Sequence, residues 1–257
     1  NLWKYLYSKS SGVFDMKRKV AKIGPSTLMI SLPSKWVKAY GVKRGDELDV
    51  VENNAELSIR TTGNDKPDIK TIDFSSLDAM TRKAVGALYK KGYSNIQIKY
   101  NTPQQLEAIY QNLSTTCVGM EVMDSGKSHI TLKQIASMKS DEFDNIMRRL
   151  FFFMNDIIVQ GSESLRIYDE NELKNLVLKD LNVNRYSDLA RRLINSKVVQ
   201  TSVEGPLYTI AEQLEKIGDL YSEIYKYALN EKVKLNPKLQ GIWKDLLGMF
   251  DHFTKLF

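Results

Sequence analysis

Acidic side chains recur at helical spacing in the segment YTIAEQLEKIGDLYSEI, residues 208–224. Glu212, Glu215 and Asp219 are separated by three and four residues, so a helix places them on one face. Stacked carboxylates without an interleaved base repel one another unless water or a cation lies between them. Because carboxylate oxygens favour hard cations, this face predicts either a site for a divalent or ferric ion or an ordinary solvated surface.

Basic side chains dominate a second candidate site near the N-terminus. The chain between Met16 and Gly45 contains lysines and arginines but no acid, although the formal net charge of the whole protein is only +6. Such a stretch favours an anionic partner, either nucleic acid or anionic lipid. A run of lysine and arginine can also be an ordinary solvated face.

Other chemistries find little support. A single cysteine, Cys117, excludes an internal disulfide and a multi-cysteine zinc site and fits a cytoplasmic location. His129 and His252 have no partner pattern for a nucleophilic triad. The sequence GKS at 126–128 resembles the end of a phosphate loop, but Glu121 replaces its leading glycine. No apolar span is long enough to insert into a membrane. We therefore expect a protein that binds rather than catalyses.

The elements that position the basic residues form one small unit at 16–62. Apolar residues alternate as in a strand before Pro33, a short helix runs from there to Gly41, and two further alternating strands follow. Fewer than about 50 residues bury too little apolar surface to fold alone. This unit therefore predicts a dimer.

The rest of the chain predicts three further parts. Residues 1–15 are an upstream extension or a tag remnant. After a polar linker, residues 68–136 alternate helices and strands and form a small α/β insert. Residues 140–257 have helical periodicity throughout and form a bundle. Its four predicted helices lie near 140–161, 170–197, 204–230 and 236–257.

The stretch KIGPSTLMISLPSKWVKAYGVKRGDELDV resembles the AbrB/MazE/SpoVT family of swapped-hairpin domains, with Leu32-Pro33, Gly41 and Gly45-Asp46 in the family's order. The resemblance implies that two chains interleave their hairpins into one β-barrel. In the DNA-binding members, basic residues of the first hairpin face double-stranded DNA, whereas other members only dimerise. The matching positions here are Lys17, Arg18, Lys19 and Lys22, with Lys35 and Lys38 on the following helix.

The motif LEKIGDLYSEI is similar to the Leu-Glu-Arg-Ile-Gly-Asp signature of PhoU, the phosphate-uptake regulator family. In that family a Glu-x-x-x-Asp pair ligates metal ions, and Glu215 and Asp219 match the pair. The preceding helix offers Asp180, with Asp188 as a further candidate. Asn182 and Asn184 stand where the family tends to carry carboxylates. An amide oxygen brings no charge, so we expect a weaker metal site than the family's.

The two resemblances together imply an α+β protein with a swapped-hairpin barrel, an α/β insert and a PhoU-like bundle, an order seen in archaeal regulators. PhoU proteins have two three-helix bundles, so four helices indicate a shortened relative, a truncated chain or a bundle completed by another subunit. The function implied is that of a homodimeric DNA-binding transcriptional regulator of phosphate homeostasis, with a helical region that senses metal or phosphate. That region could also dock on a phosphate transporter or a signalling protein. The alternative is a protein-interaction regulator of phosphate transport whose N-terminal domain only dimerises.

Overall fold

A computed structural model of the protein describes residues 17–53, 56–61, 69–136, 142–196, 198–199 and 203–256. The chain divides into two compact units between Lys66 and Pro67. The predicted N-terminal extension, residues 1–15, lies outside the described residues. None of the described helices combines the length and the apolar content needed to cross a bilayer.

Two β-hairpins and a short helix make up the described part of the first unit. In the first hairpin, Gly24 adopts a positive φ of 73° at the turn, a backbone conformation that glycine accepts without strain. Gly41 ends the helix with φ 65°, and its N–H bonds to the Val37 carbonyl. The elements are β1 Ala21–Ile23, β2 Thr27–Met29, α1 Ser34–Tyr40, β3 Leu48–Asn53 and β4 Glu56–Thr61.

The two hairpins of this unit form separate two-stranded sheets. Strand β2 ends at Met29, so the alternating residues Ile30 and Leu32 lie beyond it, and the strand is shorter than its apolar pattern predicts. The described residues of one chain do not close a barrel. The swapped-hairpin barrel needs a second chain and stays a prediction.

The second unit begins with an α/β module, whose first strand, Lys70–Asp73, precedes the helix at which the sequence pattern begins. Its sheet has the order β5-β6-β8-β7, with β5 and β6 parallel and the other pairs antiparallel. Ile98 and Ile130 from the sheet share one buried cluster with Val85 and Ile109 from the helices. The elements are β5 Lys70–Asp73, a 3-10 turn Asp78–Met80, α2 Thr81–Lys91, β6 Asn95–Lys99, α3 Pro103–Thr115, β7 Met120–Ser125 and β8 His129–Gln134.

Four helices complete the second unit as a bundle, so the mixed α+β fold with N-terminal strands and a C-terminal bundle is confirmed. Asp169 caps the second helix by accepting the Glu172 N–H, and Asn236 caps the fourth by accepting the Leu239 N–H at 2.9 Å. The helices are α4 Glu142–Ile167, α5 Glu170–Asn195, α6 Glu204–Glu231 and α7 Pro237–Thr254.

Helix α4 runs past the point where the sequence predicts its end, near residue 161. Gly161 suggests a break, but it lies inside the helix and is buried. A Cβ atom at Gly161 would overlap the hydroxyl of Tyr225. That hydroxyl donates to the Ile157 carbonyl at 2.7 Å. The glycine therefore serves close packing of α4 against α6 rather than termination.

Candidate nucleic-acid interface and acidic site

The acids predicted to form a bare stack on α6 each have a basic neighbour. Glu212 pairs with Lys216 one turn along the helix, Oε1 to Nζ 3.3 Å. Glu215 forms an ion pair with a residue of α5. Burial raises the pKa of Asp219, and the nearby charge of Lys226 opposes that rise. The prediction that no base interrupts this stack is wrong, because the compensating cations come from other turns and another helix.

Glu215 belongs to a buried charge network that spans α5, α6 and the α/β module. One guanidinium nitrogen of Arg191, Nη2, donates to Glu215 Oε2 and to Asp188 Oδ1, the latter at 2.6 Å. Lys90 of α2 lies 3.1 Å from the same Asp188 oxygen. Burial raises the pKa of Glu215, while the positive charge of Arg191 opposes that rise. Because Arg191 occupies this carboxylate, Glu215 is poorly placed to act as a metal ligand.

Asp180 and Asp219 lie on either side of Asn184 between α5 and α6. The Asn184 amide donates to Asp180 Oδ2 at 3.3 Å and also hydrogen-bonds to Asp219. Asp180 Oδ1 and Asn184 Oδ1 are buried without a hydrogen-bond partner among the described residues. Such atoms carry a desolvation cost unless water or an ion reaches them.

The environment of Asp180 makes its ionisation unfavourable. Burial raises the pKa of Asp180 to about 6, the charge of Asp219 adds to the rise, and Lys226 opposes it. Gly218 on α6 allows this close approach, since a Cβ atom there would lie 3.0 Å from Asp180 Oδ1. The carboxylate is therefore held against the backbone of the neighbouring helix.

These oxygens fit a hard cation only in part. Asp180, Asn184 and Asp219 offer oxygen ligands close together, whereas Glu215 is bound to Arg191. In the part of the chain that the structure describes, no three side chains of His, Cys, Asp or Glu are grouped as a metal site requires. A metal at Glu215, Asp219 and Asp180 stays a prediction.

All six basic residues predicted to contact DNA are exposed in the first unit. Lys17, Arg18 and Lys19 precede β1, and Lys22 lies within β1 opposite Leu28. Lys35 and Lys38 are three residues apart in α1, so they share one helical face. The structure thus brings together the two helical lysines and leaves the other four on the chain entering and forming the first hairpin.

Apolar side chains beside these lysines are also exposed. The pairs Ala21–Met29 and Ile23–Thr27 lie on one face of the first hairpin, and Lys22–Leu28 lies on the other. Leu28 is 69% exposed. Among the residues of this unit whose exposure is described, none is buried. Apolar surface of this kind marks a protein interface.

A protein family matches this unit: residues 22–66 fit the model of a family described as "Antidote-toxin recognition MazE, bacterial antitoxin". Residues 22–66 form a MazE-like domain. Domains of this type dimerise and bind DNA. The comparisons with curated proteins and with solved structures found no match for the chain. The AbrB/MazE part of the resemblance is therefore confirmed, and the PhoU part stays a prediction.

The MazE-like domain includes three of the predicted DNA contacts, Lys22, Lys35 and Lys38, whereas residues 17–19 directly precede the matched segment. Residues 22–45 of the acid-free basic stretch lie within this domain. The charged residues that connect the elements of the second unit differ from these lysines, because Asp188, Arg191 and Arg192 are buried.

Arg192 is a structural residue that the sequence reasoning missed. It is buried in α5, and its guanidinium donates to the Tyr89 carbonyl at 2.6 Å and the Tyr93 carbonyl at 2.9 Å. It also donates to Gln134 Oε1 at 2.7 Å and lies 4.7 Å from the centre of the Tyr89 ring. Arg192 therefore fastens the bundle to the α/β module. The available signal was an arginine pair inside the otherwise apolar run LARRLI at 189–194.

Proposed function

We propose that the protein is a homodimeric DNA-binding transcriptional regulator in which the MazE-like domain provides both the dimer contact and the DNA surface. The observation that carries this proposal is the coincidence, within one small domain, of uncovered apolar hairpins and an acid-free basic stretch. Neither feature is explained by the packing of a single chain.

The apolar hairpins support dimerisation. Ile23 and Met29 on the first hairpin and Val50 and Leu57 on the second are all exposed. Removing apolar surface from water contributes about 25 cal/mol per Å², and a unit this small has no other large source of stability. The hairpins of a second chain are the natural cover, because a two-fold contact uses the same surface of both copies.

The basic residues support DNA binding through the phosphate backbone. A two-fold axis presents each of Lys17, Arg18, Lys19, Lys22, Lys35 and Lys38 twice. Lysine binds phosphate as a point charge, whereas arginine reads guanine edges with two hydrogen bonds. With Arg18 as the one arginine among these six residues, we expect recognition by DNA shape and charge more than by base edges.

The proposal is tested by fluorescence anisotropy of a labelled DNA duplex titrated with the purified dimer over a series of salt concentrations. We expect the logarithm of the binding constant to fall steeply with the logarithm of salt concentration. The triple variant Lys17→Ala, Arg18→Ala, Lys19→Ala removes six charges per dimer and is expected to reduce that slope by up to about five. The matched control replaces three exposed lysines of the α/β module, Lys83, Lys91 and Lys127, and should leave the slope unchanged.

Two outcomes decide between DNA binding and simple dimerisation. Steep salt dependence that is lost in the basic triple variant and kept in the control supports the regulator. A protein that is dimeric but binds no duplex at low salt overturns DNA binding. That result leaves the alternative, an interaction regulator whose MazE-like domain only holds two chains together.

The similarity of the α6 motif to the PhoU signature extends this proposal to phosphate homeostasis. In that extension the bundle responds to a metal ion or phosphate, or docks on a phosphate transporter or signalling protein, in the cytoplasm. Coupling requires that the effector binds the DNA-bound and free states with different affinity. The test repeats the anisotropy titration with added inorganic phosphate or Mn²⁺, and an unchanged DNA affinity removes effector control of DNA binding.

A further inference from the structure

A single nitrogen atom of Arg191 lies between carboxylate oxygens of two different helices. This atom, Nη2, donates to Asp188 Oδ1 of α5 at 2.6 Å and to Glu215 Oε2 of α6. Oxygen ligands surround Ca²⁺ at about 2.3–2.6 Å, so the nitrogen occupies a point at which two carboxylates would hold a metal ion. Little water reaches this point, because the side chains of Arg191 and Asp188 are only 5% and 8% exposed.

Contacts besides the two ion pairs hold the guanidinium in place. Arg191 Nε donates to the Ser187 carbonyl at 3.4 Å, and the guanidinium carbon lies 5.9 Å from the centre of the Tyr208 ring, within range of a cation–π interaction. The Ser187 hydroxyl donates to the Ala211 carbonyl of α6 at 2.7 Å. This bond joins the two helices without Arg191, so we expect Asp188 and Glu215 to stay close together when Arg191 is replaced.

The charges around the two carboxylates are balanced. Lys90 Nζ of the α/β module lies 3.1 Å from the same Asp188 oxygen, so two cations face two carboxylates. A divalent cation entering between Asp188 and Glu215 would therefore meet Arg191 and Lys90 at close range. Like charges repel strongly where water is largely excluded, so the balanced network opposes metal binding.

We propose that Arg191 is the resident cation of a two-carboxylate site formed by Asp188 and Glu215, and that it closes this site to metal ions. The acids of the α6 motif are thereby divided between two places. Glu215 is committed to Arg191, whereas Asp219 hydrogen-bonds to Asn184. This inference concerns the second unit alone and does not depend on DNA binding.

Removal of the guanidinium should open the Asp188–Glu215 site to a metal ion. Arg191→Met leaves two carboxylates side by side, and such a pair repels unless a cation bridges it. Carboxylates and water are ligands that suit Mn²⁺, and two carboxylates are sufficient when waters complete the coordination. The Lys90 side chain is 25% exposed and can turn towards solvent as the ion enters.

Electron paramagnetic resonance of free Mn²⁺ measures how many ions the full chain binds and how tightly. We expect Arg191→Met to bind one more Mn²⁺ per chain than the wild type. Adding Glu215→Gln should raise the dissociation constant of that extra ion at least about tenfold, because the site loses one of its two negative charges. Arg185→Met, at an exposed arginine of the same helix, is the matched control and should bind as the wild type does.

Two further measurements apply if circular dichroism shows that Arg191→Met does not fold. Arg191→Gln keeps a polar side chain at this position and should also gain the extra ion. Glu215→Gln in the presence of Arg191 should leave the Mn²⁺ binding of the wild type unchanged, because Arg191 already excludes metal from this carboxylate.

Three results would overturn the proposal. One is equal Mn²⁺ binding by the wild type and a folded Arg191 variant. Another is an extra ion that persists after Glu215→Gln is added, which places the ion elsewhere. The third is weaker Mn²⁺ binding in Glu215→Gln alone, which shows that a metal ion reaches Glu215 although Arg191 is present.

Discussion

Arg191 of α5 and Glu215 of α6 form an ion pair in which the same guanidinium nitrogen also bonds Asp188. The bundle therefore supplies its own cation at the position where the acidic motif alone predicts a metal ion. Lys90 adds a second positive charge from the α/β module. The network neutralises the buried carboxylate of Asp188 and the half-buried carboxylate of Glu215, and it ties three elements together.

Arg191→Met removes this cation and leaves Glu215 unpaired in a partly buried site. Breaking a buried ion pair by deleting one partner is strongly destabilising, and we expect a loss of about 3 kcal/mol, measured by urea denaturation. Arg185→Met, an exposed position on the same helix, is the control. The double variant Arg191→Met, Glu215→Gln should recover part of the loss. Equal stability of Arg191→Met and Arg185→Met contradicts the account.

Asp180→Asn is expected to stabilise the metal-free protein at pH 7.5 by about 1–3 kcal/mol. The folded-state pKa of Asp180, about 6, lies above its ordinary value of 3.8. Ionisation of this carboxyl therefore costs stability above pH 6, and the cost disappears as the pH falls towards 4. Chemical denaturation with chelator at pH 7.5 and 5 should show the advantage of Asp180→Asn shrinking at the lower pH. A constant advantage contradicts the assigned pKa.

If a divalent cation binds between α5 and α6, its effect should depend on Asp180 and Asp219 but not on Glu215. Mn²⁺ binding to the folded state raises the melting temperature by mass action. We expect Asp180→Asn and Asp219→Asn to abolish that rise and Glu215→Gln to retain it, as measured by differential scanning calorimetry. Loss of the rise in Glu215→Gln places the ion at the Glu215–Asp219 pair instead.

Arg192→Lys should loosen the α/β module from the bundle although it keeps the charge. Lysine cannot reproduce the planar fork that reaches Tyr89, Tyr93 and Gln134 together, so buried acceptors lose their donor. We expect a loss of about 2–3 kcal/mol and faster amide hydrogen exchange in α2 and β8. The exposed substitution Arg185→Lys is the reference. Unchanged exchange in α2 and β8 rules out this role.

The sequence predicts secondary structure well where the signals are local. The Pro237 start of α7 and the alternation in β6 are examples, because capping and periodicity depend on neighbouring residues. It fails at Gly161, where a glycine serves packing against a tyrosine 64 positions away in the chain. The sequence also does not predict the ion pair between Arg191 and Glu215. The periodicity of α6 shows which acids share a face, but it does not show which basic residue of α5 contacts them.

The candidate DNA interface, unlike the contacts of Gly161 and Arg191, is recognised from the sequence alone. The charge pattern and the order of motifs identify the MazE-like domain without any tertiary information, since a small domain concentrates its signals in a short stretch. Neither the sequence nor the structure of one chain shows what covers its hairpins. Leu28 and Val50 are exposed in the single chain, which is why we propose that a second chain covers them.

Gly218 has no side chain, so the surface of α6 has a gap the size of a methyl group, and the carboxyl of Asp180 fills this gap. Alanine at this position must push the two helices apart by a few tenths of an ångström, and solvent can then reach the gap. We therefore expect the pKa of Asp180 to fall in Gly218→Ala, from about 6 towards its ordinary value of 3.8. The absence of one methyl group on α6 thus controls the acidity of a side chain on α5.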